Sequence, residues 1–354
     1  MTNWYCGRDA VKRAAGIWGA ERDQHVDRAI ESFSRRIDSE THRRFIPRTQ
    51  TRLFRWPQLQ PMEATILWLD EDLISITTLQ AKAQDSTPTT IAAADYFLEP
   101  NNTQPPYDRI EIDLSSTAAF ESGDTPQRSI SVAGSWGYSD TKRSAGTIDD
   151  AGGISATDTS LIVSDASLLD VGNTLLIQSE QLFVSNRAFA ALGTILLNMV
   201  GNLGAGKATV TVTVDASHGV KAGEVIRIDS EQMYVEAVSG NDLTVVRAYN
   251  GTVLASHNDN TAIHINRTLT VERGVNGTTA ATHADATAID VYEPPFDIQE
   301  LCLAETIAAL AQEGAGWGRV VGAGEAAREM DGRGIADLRE RVVGGYRKRR
   351  LAVV

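Results

Sequence analysis

The chain has 354 residues, 42% hydrophobic and 22% charged, which is a globular composition long enough for about two or three ordinary domains. No apolar run approaches the roughly 20 residues of a membrane-spanning helix, and the N-terminus "MTNWYCGRDAVKR" carries no apolar signal region, so synthesis and folding in a cytoplasm are expected. A net charge of −13 and a pI near 5.0 argue against a protein whose main task is gripping a phosphate backbone, and two distant cysteines, Cys6 and Cys302, argue against a disulfide framework.

Residues 8–19, "RDAVKRAAGIWG", predict a short helix with Val11, Ala14, Ala15 and Trp18 along one side. A longer helix follows, capped by Asp23, with Val26, Ile30, Phe33 and Ile37 at helical spacing and an exit at Phe45 and Pro47. Its other face carries Arg28, Glu31, Arg35, Arg36 and Glu40, a solvated or partner-facing surface. Beyond Pro47 the runs "TRLFRW", "ATILWLDEDLISITTLQAK", "DYFLEP", "RIEIDLS" and "RSISVAGSWGY" alternate apolar with polar between Pro, Asn, Gly and Ser clusters. Residues 51–138 therefore read as a small antiparallel β unit, with Asp70, Glu71 and Asp72 in a turn between strands.

The composition then shifts to Thr, Ala, Gly, Val and Asp, and the chain begins to repeat itself. "RAYNGTVLASHNDNTAIHI" at Arg247 is answered by "RGVNGTTAATHADATAIDV" at Arg273, and "DASLLDVGNTLLIQSEQLFV" at Asp165 by "DASHGVKAGEVIRIDSEQMYV" at Asp215. The order is first half, first half, second half, second half, whereas a simple tandem repeat alternates them. The inner pair is continuous through the turn "SGND", and the outer pair reads as the same unit cut open at that turn. The expected arrangement is an outer module, 157–190 with 267–292, enclosing an inner module, 206–266. Nesting of this kind requires Phe183 and Val184 to share a sheet with Leu269 and Val271. Asn250 with Gly251, and Asn276 with Gly277, supply the module turns.

The last part returns to helix. "EPPFDIQELCLAETIAALAQEG" has prolines before its start, Asp297 as cap with Glu300 three residues on, and Gly314 at its stop. The Gly-rich "GAGWGRVVGAGE" leads to helical stretches "AAREM" and "IADLRERVVGGYRKRR", and the chain ends "LAVV".

Candidate chemistry is thin. "GNLGAGKAT" from Gly201 nearly spells a phosphate loop, but Ala208 stands where the magnesium-binding hydroxyl belongs and a strand-like "TVTVTV" follows. His257 with Asp259, and His283 with Asp285, offer two ligands each where divalent metals usually take three or four; turn chemistry, with His and Asp fixing a loop by side-chain to backbone bonds, explains them more simply. No catalytic constellation can be assembled, so neither an enzyme nor a cofactor is expected.

The ordered segments "VDRAIESFSRRIDSETHRRFIPRTQTRLFRWP", "LWLDEDLISITTL", "DYFLEP", "ISVAGSWGY" and "PPFDIQELCLAETIAALAQ" resemble the head-tail connector (adaptor) proteins of long-tailed bacteriophages, over about residues 9–138 and 294–354. In that family "GSWGY" leads almost directly into the "PPFDIQ" helix; here residues 139–293 intervene. The resemblance implies an α+β fold: a helical connector core of 1–140 and 293–354 with a small antiparallel β unit, plus an inserted all-β domain of two nested modules at 141–292. It implies a homo-oligomeric ring of about twelve copies, assembled in the host cytoplasm and placed in the virion neck under the portal protein. That ring would extend a channel that genomic DNA crosses without sequence-specific binding, and would meet a head-closure (stopper) or tail-terminator protein. Subunit packing would involve Arg28, Glu31, Arg35, Arg36, Leu301 and Ile307; the C-terminal Tyr346, Arg347, Lys348, Arg349, Arg350, Leu351 and Val353 read either as a portal-binding segment, through charge and strand addition, or as a frayed basic tail. The inserted domain would project outward toward capsid, collar or fibre proteins; no membrane is involved. The alternative is a β-rich tail or surface module recognising carbohydrate or another virion protein, which calls for exposed aromatics in the repeated region.

Overall fold

The computed structural model describes residues 3–58, 64–103, 105–199, 201–206, 210–314, 320–321, 328–329 and 333–348. Four helices lie among them: α1 (Arg8–Ala15), α2 (Asp23–Thr41), α3 (Phe296–Gly314) and α4 (Arg333–Tyr346). The apolar stripe of α2, Val26, Ile30 and Ile37, is fully buried as its spacing requires. Asp23 is the first helical residue rather than the cap, and its carboxylate sits 2.6 Å from the buried Lys12 amine. Asp297 likewise lies inside the first turn of α3, where the Pro295 carbonyl accepts the amides of Ile298 and Gln299. Of the expected "AAREM" helix, Arg328–Glu329 instead forms a two-residue pair with Val320–Val321; the rest lies outside the described residues.

The first sheet takes β1 (Arg48–Phe54), β2 (Ile66–Ala81), β3 (Thr89–Ile91), β4 (Tyr96–Glu99), β5 (Tyr107–Ile112) and β6 (Ile130–Trp136). Its order is β1-β6-β2-β5-β4, with β3 on the end of β2. One face buries Phe54, Leu67, Leu73, Ile110, Val132 and Trp136 in a core of its own. Gly134 is required there, because a Cβ would meet the Ser75 carbonyl at 2.1 Å. Asp70, Glu71 and Asp72 are not in a turn. They sit within β2, where its pairing with β5 is interrupted between Trp68 and Leu73, and they gather cations from three parts of the chain. Asp70 holds Arg52 at 2.6 Å, Glu71 holds Arg48 at 3.2 Å, and the buried Asp72 holds Arg43 at 2.7 Å and Lys348 at 3.1 Å.

The second sheet has ten strands: β7 (Lys142–Thr147), β8 (Ser160–Ile162), β9 (Thr174–Ile177), β10 (Glu180–Leu196), β11 (Val210–Thr213), β12 (Val225–Ile228), β13 (Glu231–Ser239), β14 (Asp242–Tyr249), β15 (Ala262–Glu272) and β16 (Ala288–Tyr292). It resolves into two equivalent rows of six, β7-β16-β9-β10-β15-β8 and β10-β15-β12-β13-β14-β11. Both rows close on themselves, through bridges Ile148↔Val163 and Leu197↔Val214, so each module is a small barrel. The two long strands β10 and β15 are shared. Val184 faces Val271 and Arg187 faces Leu269 in the outer barrel, while Ile195 faces Ile263 in the inner one. The register matches in detail: the shift between Val184 and Asn186 has its twin between Val235 and Ala237. The interiors match as well, Ile148, Ile154, Leu175, Leu182, Val184, Leu269 and Ile289 corresponding to Leu197, Leu203, Ile226, Met233, Val235, Leu243 and Ile263. Each barrel therefore starts before the boundary read from the sequence, with a strap at 148–158 outside and 197–206 inside.

A fold class built on a helical core does not hold. Strands take 38% of the described residues and helices 21%, so antiparallel sheet is the dominant architecture. The physical reason lies in what the helices pack on. Val26, Ile30, Ile298, Leu301 and Leu310 form one cluster with Val171, Phe183, Val275 and Tyr292 of the outer barrel, so the helices are a layer laid against sheet and have no core to themselves.

Nesting makes a direct prediction. Ser239 and Asp242 flank the Gly240–Asn241 turn as a pair, and Ala188 and Thr268 are the matching pair where the outer barrel is interrupted. Replacing residues 189–267 by Gly-Asn is expected to give a soluble chain that melts cooperatively and keeps slowly exchanging amides at Val184 and Val271. An insoluble or molten product would show that the outer strands are not one unit.

Candidate functional site

The residues repeated between the modules converge on one arrangement, built twice. In the outer barrel the Glu180 carboxylate, at the start of β10, accepts Arg273 Nε at 2.7 Å and Nη2 at 2.8 Å, the amides of Gly274 and Ala281 at 3.0 Å each, and His283 Nε2 at 2.8 Å. In the inner barrel Glu231 accepts Arg247 Nε and Nη2 at 2.7 Å each, the amides of Ala248 and Ala255 at 3.0 Å, and His257 Nε2 at 2.9 Å. Other guanidinium hydrogens reach carbonyls of the straps, Ser155 and Asp158 outside and Gly204 inside, and carbonyls of the loops, Ala281 outside and Ala255 inside. Each site is a clamp joining a strand start, a strand end, a loop and a strap.

The electrostatics follow from that geometry. Burial alone would raise each carboxyl, but the paired arginine, the two amides and the histidine outweigh it and hold Glu180 and Glu231 at about 2. With five donors on two oxygens, the carboxylate has no free lone pair with which to act as a base or take a ligand. The Glu and Arg were overlooked in the sequence, although both stand unchanged in each copy, as "SEQ" and as the Arg that opens "RAYNGT" and "RGVNGT". They belong to opposite halves of the repeat, and only the fold brings the halves together.

The other repeated residues do what turn chemistry demands. Asn250 and Gly251 have φ of 53° and 73°, and Asn276 and Gly277 of 56° and 81°, the left-handed pair that favours Asn-Gly. Thr252 and Thr278 then close each turn with a hydroxyl bond back to Tyr249 and Val275. Asp259 and Asp285 accept the strap amides of Met199 and Asp150 at 2.9 and 3.0 Å. The histidines differ from expectation: their rings bond to the buried glutamates, and their backbones pair with Leu203 and Ile154. The stretch that nearly spells a phosphate loop is the inner strap, as far as it is described; Lys207, Ala208 and Thr209 lie outside the described residues.

The turns also dock the modules. Asn276 exchanges side-chain bonds with Asn3, and Gly277 lies so close to Thr49 that a Cβ would meet its carbonyl at 2.0 Å. Asn250 accepts from Lys12 at 3.4 Å, and Trp18 meets Tyr249 edge-on. The inserted domain is thus seated on the N-terminal segment at two points rather than projecting freely from a loop.

The residues singled out for partners are placed as follows. Arg28 and Arg36 are exposed, Arg36 paired with Glu40, while Glu31 is half-buried and Arg35 pairs with Asp38. Leu301 is fully buried in the chain's own core, and Ile307 packs against it. Tyr346 packs on Phe45 and Tyr138 and donates to Asp297 at 2.8 Å. Arg347 is exposed, and the Lys348 amide is bound by the Thr41 carbonyl. Arg349, Arg350, Leu351 and Val353 lie outside the described residues. Compared with known protein families, with curated proteins and with solved structures, the chain matches none.

Removing one side of a clamp strands its partner as a buried charge, which costs about 3–5 kcal/mol. Glu180→Gln and Glu231→Gln are each expected to lose stability of that order in urea titrations at neutral pH. Because both carboxyls are depressed in the folded state, their contribution is fully present above the unfolded range near about 4.3 and is lost as pH falls through about 2. The wild-type chain should destabilise across that window, and each variant should show a shallower decline.

Proposed function

We propose that the chain is a structural protein of the bacteriophage neck, an adaptor that forms a ring beneath the portal and joins head to tail. The observation that carries this reading is how the β insertion is mounted. It enters through β7 and leaves through β16, and these strands pair with Lys142 opposite Tyr292. Entry and exit are adjacent, so the segments that resemble the connector family form a continuous framework around the insertion. Across that junction α2 packs on α3, and Tyr138, Phe45 and Tyr346 stack together.

Two further features support a structural role. The repeated polar residues are consumed in internal clamps, which suits a load-bearing scaffold. The net charge of −13 repels duplex phosphates, so DNA in a lumen would slide rather than adhere. Exposed charge on α2 is available to a neighbouring copy, and Arg347 to an acidic portal surface; stopper or terminator proteins would meet the other end of the ring. The carbohydrate-binding alternative is disfavoured by the module aromatics: Phe183, Tyr249 and Tyr292 are buried, and Phe189 lies under Arg227.

Quantitative mass spectrometry of purified particles, with this chain counted against the major capsid protein, tests the proposal. About twelve copies per particle are expected for a closed neck ring. Absence from particles, or hundreds of copies, would overturn it.

A further inference from the structure

The chain has two cysteines, 296 positions apart, and the fold puts them in contact. Cys6 Sγ lies 3.4 Å from Cys302 Sγ, and both are free thiols. Cys6 belongs to the segment just before α1, and Cys302 is fully buried on α3. That segment is pinned on both sides of the thiol: Trp4 packs edge-on against Phe183, Tyr5 bonds to Asp38, and the Arg8 amide bonds to the Val171 carbonyl at 3.0 Å. Ser34 Oγ approaches Cys302 Sγ at 3.5 Å from α2. Four elements thus hold the two sulfurs in contact, and a disulfide would bring them to about 2.05 Å.

We propose that Cys6 and Cys302 are a modification site, a thiol pair that oxidises to an intramolecular disulfide locking the N-terminal segment to α3. The oxidant class is a low-molecular-weight disulfide such as oxidised glutathione. The half-buried Cys6, the sulfur with access, attacks one glutathione sulfur; the glutathione S–S bond breaks, and one glutathione leaves as a thiolate that takes up the Cys6 proton. Cys302 then attacks the Cys6 sulfur of the mixed disulfide, and the second glutathione departs with the Cys302 proton. Two protein thiols are oxidised, and one glutathione disulfide is reduced to two thiols. The hydrogen bond between the sulfurs raises Cys6 and lowers Cys302 from the ordinary thiol range, which suits Cys302 as the resolving nucleophile and makes the opening attack by Cys6 the step that needs alkaline pH. The closed loop spans most of the chain, and long loops are where a cross-link constrains the unfolded state most. This inference stands independently of the neck assignment.

The full chain would be incubated with oxidised glutathione at mildly alkaline pH, quenched in acid, denatured, alkylated and analysed by intact mass and non-reducing peptide mapping. The expected result is a monomer with no alkylatable thiol, no retained glutathione and a peptide pair joining Cys6 to Cys302. Its melting temperature should rise by several degrees, reversed by dithiothreitol and absent in Cys6→Ser. Two alkylatable thiols, a stable glutathione adduct on Cys6 or a covalent dimer would each overturn the proposal. These readouts come from the wild-type chain, so they decide the matter even if the variant fails to fold.

Discussion

Two strands serve two barrels at once, and the rest of the inserted domain depends on that sharing. β10 directs Val184 into the outer core and Ile195 into the inner one, and β15 does the same in reverse with Ile263 and Val271. Because side chains alternate, a slip of one residue in this pair would turn both apolar sets outward together. Register is therefore specified twice over. The irregularities in β10 between Ala188 and Ile195 lie where the strand passes from one barrel to the next, and extra residues there allow the pleat to re-aim.

The buried clamps address a different problem. A small barrel of short strands closes only if its straps and loops are held, and loops of Thr, Ala and Gly bring little apolar surface with which to hold them. A bidentate Glu–Arg pair reaches four segments from one point and satisfies their backbone groups as it does so. Such a pair is an inefficient source of net stability, because desolvation offsets most of the Coulomb gain, but an arrangement that separates the partners leaves a charge buried and alone. Its effect is to exclude wrong closures. The match between Glu180 and Glu231 in all five donors, with each distance equal to within about a tenth of an ångström, shows that the solution belongs to the module and not to its surroundings.

Much of this was legible in the sequence, and the failures have physical causes. The repeat, its nested order and the Asn-Gly turns could be read because turn residues and alternation are local signals. The Glu–Arg–His clamp could not, since its members are far apart and each is unremarkable beside its own neighbours. The acids of β2 have the sequence pattern of a turn, because charge usually marks solvent; here Arg43, Arg48, Arg52 and Lys348 accompany them within the fold. The weight given to helix had a related cause. The stripe on α2 was correct, but a stripe does not say what covers it: α2 packs on α1, α3 and α4, and the cluster they form also takes in Phe183, Val275 and Tyr292 of the repeated region. The cysteine contact has no local signal, because sequence spacing cannot reveal a contact closed by the whole chain.

The mounting of the insertion bears on what such a chain can do mechanically. A module hung from its paired entry and exit strands alone would swing about that hinge. Here two further attachments resist it, one at each Asn-Gly turn: the outer barrel meets Asn3 and Thr49, and the inner barrel meets Lys12 and Gly19, which lie between them in sequence. The Asp170 carboxylate adds a third, accepting the first amides of α1 at Asp9 and Ala10 where the helix dipole favours negative charge. Contacts that are spread along an axis resist torque better than the same number gathered at one point. Both barrels are thereby tied to the N-terminal segment that carries α1 and α2, and α2 packs in turn on α3.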